Sequence, residues 1–113
     1  MAEYTLAHVG INAVNSQDAL EAAKMFELLF GLTVKEGNSS VFAGTAVEIM
    51  KAPYKGTHGH IGIGTPDVAA QMELEAKGFA FDPTTAKYKP DGAINAIYLQ
   101  DEIYGFAVHL VRV

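Results

Sequence analysis

The hydrophobic and polar positions of this chain repeat with two periods, and these periods follow each other in the same order twice. Residues 6–13 alternate with period two, as in a strand with one buried face. Residues 33–35, 40–42 and 46–50 are short strand-like segments between turn-prone residues, and predict three more strands after an intervening helix. The first half of the chain therefore predicts the order βαβββ.

The predicted helix of the first half has a signal at each end. Asn15 or Ser16 can cap its N-terminus, and Gly31 can end it because glycine readily adopts the left-handed conformation. Apolar side chains recur at helical spacing between these residues, which predicts one face packed on a sheet. That face is formed by Leu20, Ala23, Phe26, Leu29 and Phe30.

The second half repeats this organisation. The sequence HVGI at 8–11 reappears as HIGI at 60–63, close to half the chain length later. Thr65 as cap and Pro66 as first helical residue start a second predicted helix, which Gly78 ends. Its buried side consists of Val68, Met72 and Ala76. Strands are predicted at 59–64, 79–81, 93–99 and 106–111, which gives one α+β domain of two modules, roughly residues 1–52 and 53–113.

Composition agrees with one folded domain and narrows the function. Of 113 residues, 50% are hydrophobic and 19% charged. The formal net charge of -5 disfavours nucleic acid, and the sequence has neither an apolar stretch long enough for a bilayer nor a secretion signal. We therefore expect a cytoplasmic protein that binds neither nucleic acid nor membranes. Because the chain has no cysteine, a metal site would consist of imidazole and carboxylate ligands.

Four ionisable side chains interrupt otherwise apolar strands, one in the first and one in the last strand of each module: His8, Glu48, His60 and His109. Alternation places each of them opposite the core face of its strand. In the first strand the core face consists of Ala7, Val9 and Ile11. Burying such groups is unfavourable without compensation, and a shared metal ion is one compensation. Three imidazoles and one carboxylate suit one divalent ion of zinc, nickel, cobalt, iron or manganese, with open positions for water or substrate.

Each of these residues alone also has a structural interpretation. A single histidine in a strand is more often a hydrogen-bonded structural residue than a ligand, and Glu48 alone fits a solvated carboxylate on an edge strand. Four such residues that respect a two-fold repeat favour the shared site. His58 has the same parity as His60, but its place just before Gly59 is typical of a surface loop.

Further residues are candidates for contact with a substrate. Asn12 shares the strand face of His8, and Met50 shares that of Glu48, although lining of the core explains both at least as well. Tyr54 belongs to a set of cationic and aromatic residues that would suit the rim of a site for an anionic substrate. Ordinary solvated turn residues explain this set better. It consists of Lys51, Tyr54, Lys55, Lys87, Tyr88 and Lys89.

The repeat and the strand positions of the candidate ligands resemble the vicinal oxygen chelate superfamily, which includes glyoxalase I, methylmalonyl-CoA epimerase, fosfomycin-resistance enzymes and extradiol dioxygenases. The resemblance covers nearly the whole chain. It implies one curved mixed sheet with the helices outside, a glyoxalase-like metal site, and a homodimer. Glyoxalase I enzymes typically have histidine or glutamine in the first strand, glutamate in the fourth and histidine in the fifth. His8, Glu48 and His60 match these positions.

More narrowly, the stretches HVGIN, KEGNSSVFAGT, EIMKAPY, GHIGIGT and AIYLQDEIYGFAVHLV resemble the glyoxalase-like domain appended to keto-deoxy-phosphogluconate/keto-hydroxyglutarate aldolases. An aldolase is therefore a candidate partner.

Two positions depart from the glyoxalase I pattern. The eighth-strand ligand, usually glutamate, is His109, and Asn12 stands where bacterial glyoxalases often have an arginine for glutathione. Glu48 remains as the candidate catalytic base.

Two functions from different classes follow. The first is a metal-dependent lyase or isomerase of glyoxalase type, in which the metal chelates two adjacent oxygens of a small substrate, an enediolate forms and Glu48 moves the proton. The second is a non-catalytic metabolite-binding or accessory domain of an aldolase, which His109 in place of the usual glutamate favours. Oxygen activation, as in extradiol dioxygenases, ranks last because those enzymes normally keep that glutamate.

Overall fold

The structure is a computed structural model that describes residues 3–75 and 78–113. Within these ranges the chain forms eight strands and two helices. They are β1 (Thr5–Asn12), α1 (Ser16–Phe30), β2 (Val34–Glu36), β3 (Ser40–Ala43), β4 (Val47–Met50), β5 (Gly59–Thr65), α2 (Val68–Glu75), β6 (Phe81–Tyr88), β7 (Ile94–Leu99) and β8 (Phe106–Arg112). The predicted βαβββ order is thus present twice.

The strands form one curved, mixed sheet with the order β2-β3-β4-β1-β5-β8-β7-β6. β1 and β5 pair antiparallel at the centre, and each lies parallel to the last strand of its own module, β4 or β8. The two modules are therefore arranged as in an approximate two-fold repeat about the β1–β5 pair. The α+β class and the mixed sheet of two modules are confirmed, whereas the assignment of the whole chain to one domain stays a prediction.

Each module has its own hydrophobic cluster between its helix and one face of the sheet. The buried members of the first cluster, from α1, β3 and β4, are Ala19, Ala23, Val41, Ala43 and Ile49. Those of the second cluster, from α2, β7 and β8, are Val68, Ile97 and Leu110, with Met72 packed against them. Val68 is buried as predicted and Met72 is partly buried, whereas Ala76, predicted beside them, lies outside the described residues. Both helices cover the same face of the sheet, which leaves the opposite face for a site.

Both ends of α1 follow the sequence signals. The Asn15 side chain accepts a hydrogen bond from the Asp18 backbone N–H at 2.8 Å, and Gly31 ends the helix with a φ of 72°. The expected burial of its last turn is wrong, because Leu29 and Phe30 are 66% and 67% exposed. Helical spacing defines a face but not how far the underlying strands extend. Neither helix in the described part of the chain has the length and apolarity needed to cross a bilayer.

The expected core face of β1 is only partly buried. Ala7 and Val9 are half-buried, Ile11 is 37% exposed, and all three lie outside both hydrophobic clusters. The reason is the strand order, since β1 lies at the centre of the sheet while α1 packs on β2, β3 and β4 and α2 packs on β7 and β8. A strand can thus alternate as a core strand does and still lie between two covered regions.

The second helix starts later than predicted. Thr65 is the last residue of β5 and is fully buried, so it is not the cap, and Pro66 is not helical. Instead, the Asp67 side chain accepts a hydrogen bond from the Ala70 backbone N–H at 3.1 Å, as an N-cap residue does. Gly78, the predicted stop, has a φ of 90°.

The first strand after α2 also differs from the prediction. A strand was expected at 79–81, whereas β6 begins at Phe81 and continues to Tyr88. Near its start, the Asp82 carboxylate accepts hydrogen bonds from the backbone N–H and the hydroxyl of Thr84, and the pairing with β7 shifts register. This local turn, together with Pro83, hides the strand because neither feature is typical of regular alternation.

Candidate metal centre

The four innermost strands of the sheet each contribute one candidate ligand. His8 lies on β1, Glu48 on β4, His60 on β5 and His109 on β8. Their side chains converge on the face opposite the helices, although only Glu48 and His60 lie close to each other in the sequence. The predicted juxtaposition of these residues is therefore present, while their role as metal ligands stays a prediction.

Two glycines explain how the imidazoles fit together. Gly10 of β1 pairs with Glu48 on one side and His60 on the other, and Gly62 of β5 pairs with His8 and His109. A Cβ atom at Gly10 would overlap the His60 ring, and one at Gly62 would lie within 3 Å of the His8 ring. The repeated motif His-x-Gly thus places each histidine above the glycine of the opposite module.

The ligand atoms of the three histidines lie close enough together to share one ion, and Glu48 lies beside two of them. His60 Nε2 lies 3.1 Å from Glu48 Oε1, His8 Nε2 lies 3.7 Å from the same oxygen, and His109 Nε2 lies 3.1 Å from His8 Nε2. Ligand atom pairs of the three histidines all lie within 4.8 Å. Around an ion with bonds of 2.0–2.1 Å, neighbouring ligand atoms are about 2.9–3.4 Å apart in tetrahedral or octahedral geometry. The two separations of 3.1 Å lie in this range and that of 3.7 Å lies just above it, so the residues present fit a divalent metal ion with a small shift of the Glu48 side chain.

The electrostatics of the cluster also suit a cation. The hydrogen bond from His60 lowers the pKa of Glu48, and a second one, from the Ser40 hydroxyl at 2.7 Å, adds to this despite partial burial. Burial lowers the pKa of His8. Burial, followed by the proximity of His8 and His60, lowers the pKa of His109 to about 4. At neutral pH the site thus offers an ionised carboxylate with neutral imidazoles at His8 and His109, the protonation states that bind metals.

Ser40 and Tyr98 are site residues that the sequence analysis missed. Ser40 is buried and holds Glu48 Oε2, and the Tyr98 ring stacks on His109 with centroids 4.5 Å apart. Strand parity would have found Ser40 once the β3–β4 register was known, because Phe42 pairs with Glu48 and Ser40 lies two residues before it. Because the register between strands is decided by tertiary packing, the sequence alone could not show that Ser40 lies beside Glu48.

The cluster lies in a cleft of about 410 Å³. Of the predicted substrate contacts, Met50 and Tyr54 line this cleft, whereas Asn12 is absent from its lining. Asn12 instead binds the loop 51–58, donating to Gly56 O and accepting from Tyr54 N, both at 3.2 Å. Both ends of the carboxamide therefore bind the loop, and contact of Asn12 with a substrate stays a prediction.

The predicted cationic rim divides between different places. Lys87 lines the metal cleft, and Lys55 lines an adjoining cleft of about 450 Å³ that shares Tyr54, Thr85 and Tyr98 with it. Two of the other lysines form ion pairs with nearby carboxylates, Lys51 with Glu36 at 2.8 Å and Lys89 with Asp91 at 4.0 Å. Tyr88 is 63% exposed and lines neither cleft. His58 packs beside Gly105 and Phe106 in a loop, away from the cluster.

Comparison with solved structures identifies the fold. A methylmalonyl-CoA epimerase variant from Streptomyces coelicolor in complex with 2-nitronate-propionyl-CoA superposes with a TM-score of 0.65 at 18% identity, over 96% of this chain and 93% of that chain. The chain has the vicinal oxygen chelate fold. A hypothetical protein from Bacillus halodurans C-125 superposes with a TM-score of 0.66 at 15% identity, over 98% of this chain and 95% of that chain. Methylmalonyl-CoA epimerase from Mycobacterium tuberculosis superposes with a TM-score of 0.61 at 20% identity, over 95% of this chain and 86% of that chain.

The likeness to the vicinal oxygen chelate fold is structural. At these identities it establishes the arrangement of the two modules and not the activity. The chain matches no protein-family model and no curated protein sequence. Function therefore has to be argued from the side chains in the cleft.

Proposed function

We propose that this chain is a metal-dependent isomerase or lyase that moves a proton next to a carbonyl group of a small substrate with two adjacent oxygens. One observation carries the proposal: three imidazoles whose ligand atoms all lie within 4.8 Å of one another share a cleft with a carboxylate that contacts two of them. Such a constellation combines Lewis acidity with a group that can accept a proton.

The residues divide into two roles. His8, His60 and His109 would hold the ion, which when bound would polarise the substrate oxygens and stabilise the negative charge that develops on them. Glu48 would accept the proton and return it, because its lowered pKa keeps it ionised at neutral pH. Ser40 orients the Glu48 carboxylate through its hydroxyl. This assignment makes Glu48 the single catalytic base.

The solved relatives favour the isomerase form of the proposal. Three of them carry the name methylmalonyl-CoA epimerase, and one of these three is described in complex with methylmalonyl-CoA. An epimerase of that kind also removes a proton beside a carbonyl, which is the step proposed for Glu48, but inversion of the centre requires a proton returned to the opposite face and therefore a second donor. The glyoxalase-type lyase, the aldolase partner and the homodimer are further proposals, which the sequence resemblance alone supports.

Substitution of the base tests the proposal. Wild type and Glu48→Gln would be loaded with zinc, nickel, cobalt, iron(II) or manganese, and their metal content determined by mass spectrometry. Exchange of the substrate α-proton in D₂O would be followed by NMR for methylglyoxal hemithioacetal and methylmalonyl thioesters. We expect Glu48→Gln to lose about 10²–10⁴-fold in exchange rate. Glu36→Gln, an exposed carboxylate on β2, serves as the matched control.

Two results would decide against catalysis. If the wild type binds no metal, the site is structural. If it binds metal and exchanges no proton of either substrate class, the second function gains support, since Glu48 lies close enough to His8 and His60 to be an ordinary ligand. A non-catalytic metabolite-binding domain would then bind a 2-keto acid in calorimetry without any exchange.

A further inference from the structure

Two histidines of the cluster, both from the second module, have an unpartnered ring nitrogen within the described residues. Nδ1 of His60 and Nδ1 of His109 are buried and have no hydrogen-bond partner within residues 3–75 and 78–113. A metal-binding histidine is usually oriented by a hydrogen bond from its second ring nitrogen to a carboxylate or carbonyl group. If His60 and His109 hold a metal ion, their rings must be oriented by other contacts.

Aromatic rings provide such contacts at both histidines. The Tyr98 ring lies parallel to His109, with an interplanar angle of 9° and centroids 4.5 Å apart. Tyr98 also meets the His60 ring edge-on at 6.4 Å, and Tyr54 meets it edge-on at 6.0 Å. Tyr98 is buried, so the plane of its ring is itself fixed by packing. A ring that is flanked in this way cannot rotate freely about χ2.

The loop 51–58, which joins the two modules, connects these rings to β1. Asn12 donates to Gly56 O and accepts from Tyr54 N, so its carboxamide fixes the loop at two points. From the same loop, Lys55 Nζ lies 5.5 Å from the centroid of the Tyr98 ring, within the range of a cation–π contact. The loop therefore contains one of the tyrosines that flank the histidines, Tyr54, and contacts the other, Tyr98.

We infer that Tyr98 and Tyr54 are positioning residues that aim His109 and His60 at the metal ion by ring contact, and that Asn12 keeps Tyr54 in place through the loop. Ring packing here takes the part that hydrogen bonds to Nδ1 usually have. The inference rests on the proposed function, because it presupposes the metal ion. It assigns no role to the tyrosine hydroxyls, so phenylalanine should replace either tyrosine.

Metal binding to the purified full chain tests the inference without an activity assay. Affinities for Zn²⁺ and Co²⁺ would be measured for wild type, Tyr98→Phe and Tyr98→Leu, together with the visible absorption bands of the Co²⁺ form. We expect Tyr98→Phe to stay within about threefold of wild type and Tyr98→Leu to bind about 10–100-fold more weakly, with shifted Co²⁺ bands. Tyr88→Leu, an exposed tyrosine on β6, is the control.

A double-mutant cycle tests the loop and avoids the buried position. Tyr54 is 45% exposed, so Tyr54→Leu leaves the core intact. We expect Tyr54→Leu and Asn12→Ala each to weaken metal binding by about 3–10-fold. The double variant should bind metal about as well as the single variant with the lower affinity, because both substitutions act on the same ring. Urea unfolding of each metal-free variant establishes that the fold persists.

The possible outcomes separate the two proposals. A wild type that binds neither ion overturns the proposed function, and this inference with it. A wild type that binds metal while Tyr98→Leu and Tyr54→Leu bind equally well overturns the inference alone. So does equal loss in Tyr98→Phe and Tyr98→Leu, because the hydroxyl and not the ring would then matter. Additive effects of Asn12→Ala and Tyr54→Leu contradict the role of the loop.

Discussion

Gly10 and Gly62 leave the space that two imidazole rings occupy. Gly10 has no positive φ, so alanine there would be tolerated by the backbone, and any cost must come from the ring above it. We expect Gly10→Ala to lower the free energy of unfolding by about 1–3 kcal/mol, the usual range for an overpacked site, and to weaken metal binding. Urea unfolding and metal titration measure the two effects.

A variant that also lacks the His60 ring, which lies above Gly10, provides the control. In Gly10→Ala combined with His60→Ala the ring is gone, so the added methyl group has room and stability should recover relative to Gly10→Ala alone. Equal destabilisation by Gly10→Ala with and without the His60 ring would contradict the steric explanation. It would also mean that the repeated glycine serves the backbone and not the site.

Strand parity was sufficient to bring the candidate ligands to one face. His8, Glu48, His60 and His109 needed only the alternation of apolar neighbours and the repeat to be recognised as a set. Their pairing with glycines, and the contacts of Ser40 and Tyr98, depend on the register between strands, which tertiary packing decides. The sequence could therefore predict the members of the cluster but not the side chains that hold them.

At the scale of elements, the start of α2 gives a direct test. Asp67 caps the helix, whereas the Thr65 hydroxyl is buried without a hydrogen-bond partner among the described residues. We expect Asp67→Ala to destabilise the protein by about 1 kcal/mol and Thr65→Val to be neutral or stabilising, because valine keeps the shape and removes an unsatisfied group. Thermal unfolding of both variants decides between the two caps. Destabilisation by Thr65→Val alone would restore Thr65 as the cap.

Element predictions succeeded where local signals and packing agree. Asn15 and Gly31 mark α1 correctly because a cap and a left-handed glycine are local features of the chain. β6 was misplaced because its regular pairing is interrupted around Asp82 by a side-chain turn. The expected burial of Phe30 failed for another reason, since that side chain lies on the predicted face but is exposed, with its ring 6.3 Å from that of Phe26. Period identifies a face, and only the assembled sheet decides what covers it.

For the whole molecule, the buried cluster links protonation to folding. The pKa of His109 is about 4 in the folded chain, against 6.5 for an ordinary histidine, mainly because of burial. Between these two values the unfolded chain binds more protons than the folded chain, so the free energy of unfolding decreases as the pH falls through this window. The lowered pKa of His8 acts in the same direction. Glu48, with a pKa lowered from 4.5, contributes stability that is lost only at more acidic pH.

We therefore expect the metal-free protein to lose on the order of 3 kcal/mol of unfolding free energy between pH 7 and 4, since each pKa unit corresponds to about 1.4 kcal/mol. Urea unfolding at a series of pH values measures this loss. His109→Gln removes the titrating group and should flatten the profile over the same window, whereas an equally steep profile in that variant would contradict the assignment to His109. Bound zinc competes with the same protons, so the metal-loaded protein should keep its stability to a lower pH and then lose it more steeply as the ion dissociates.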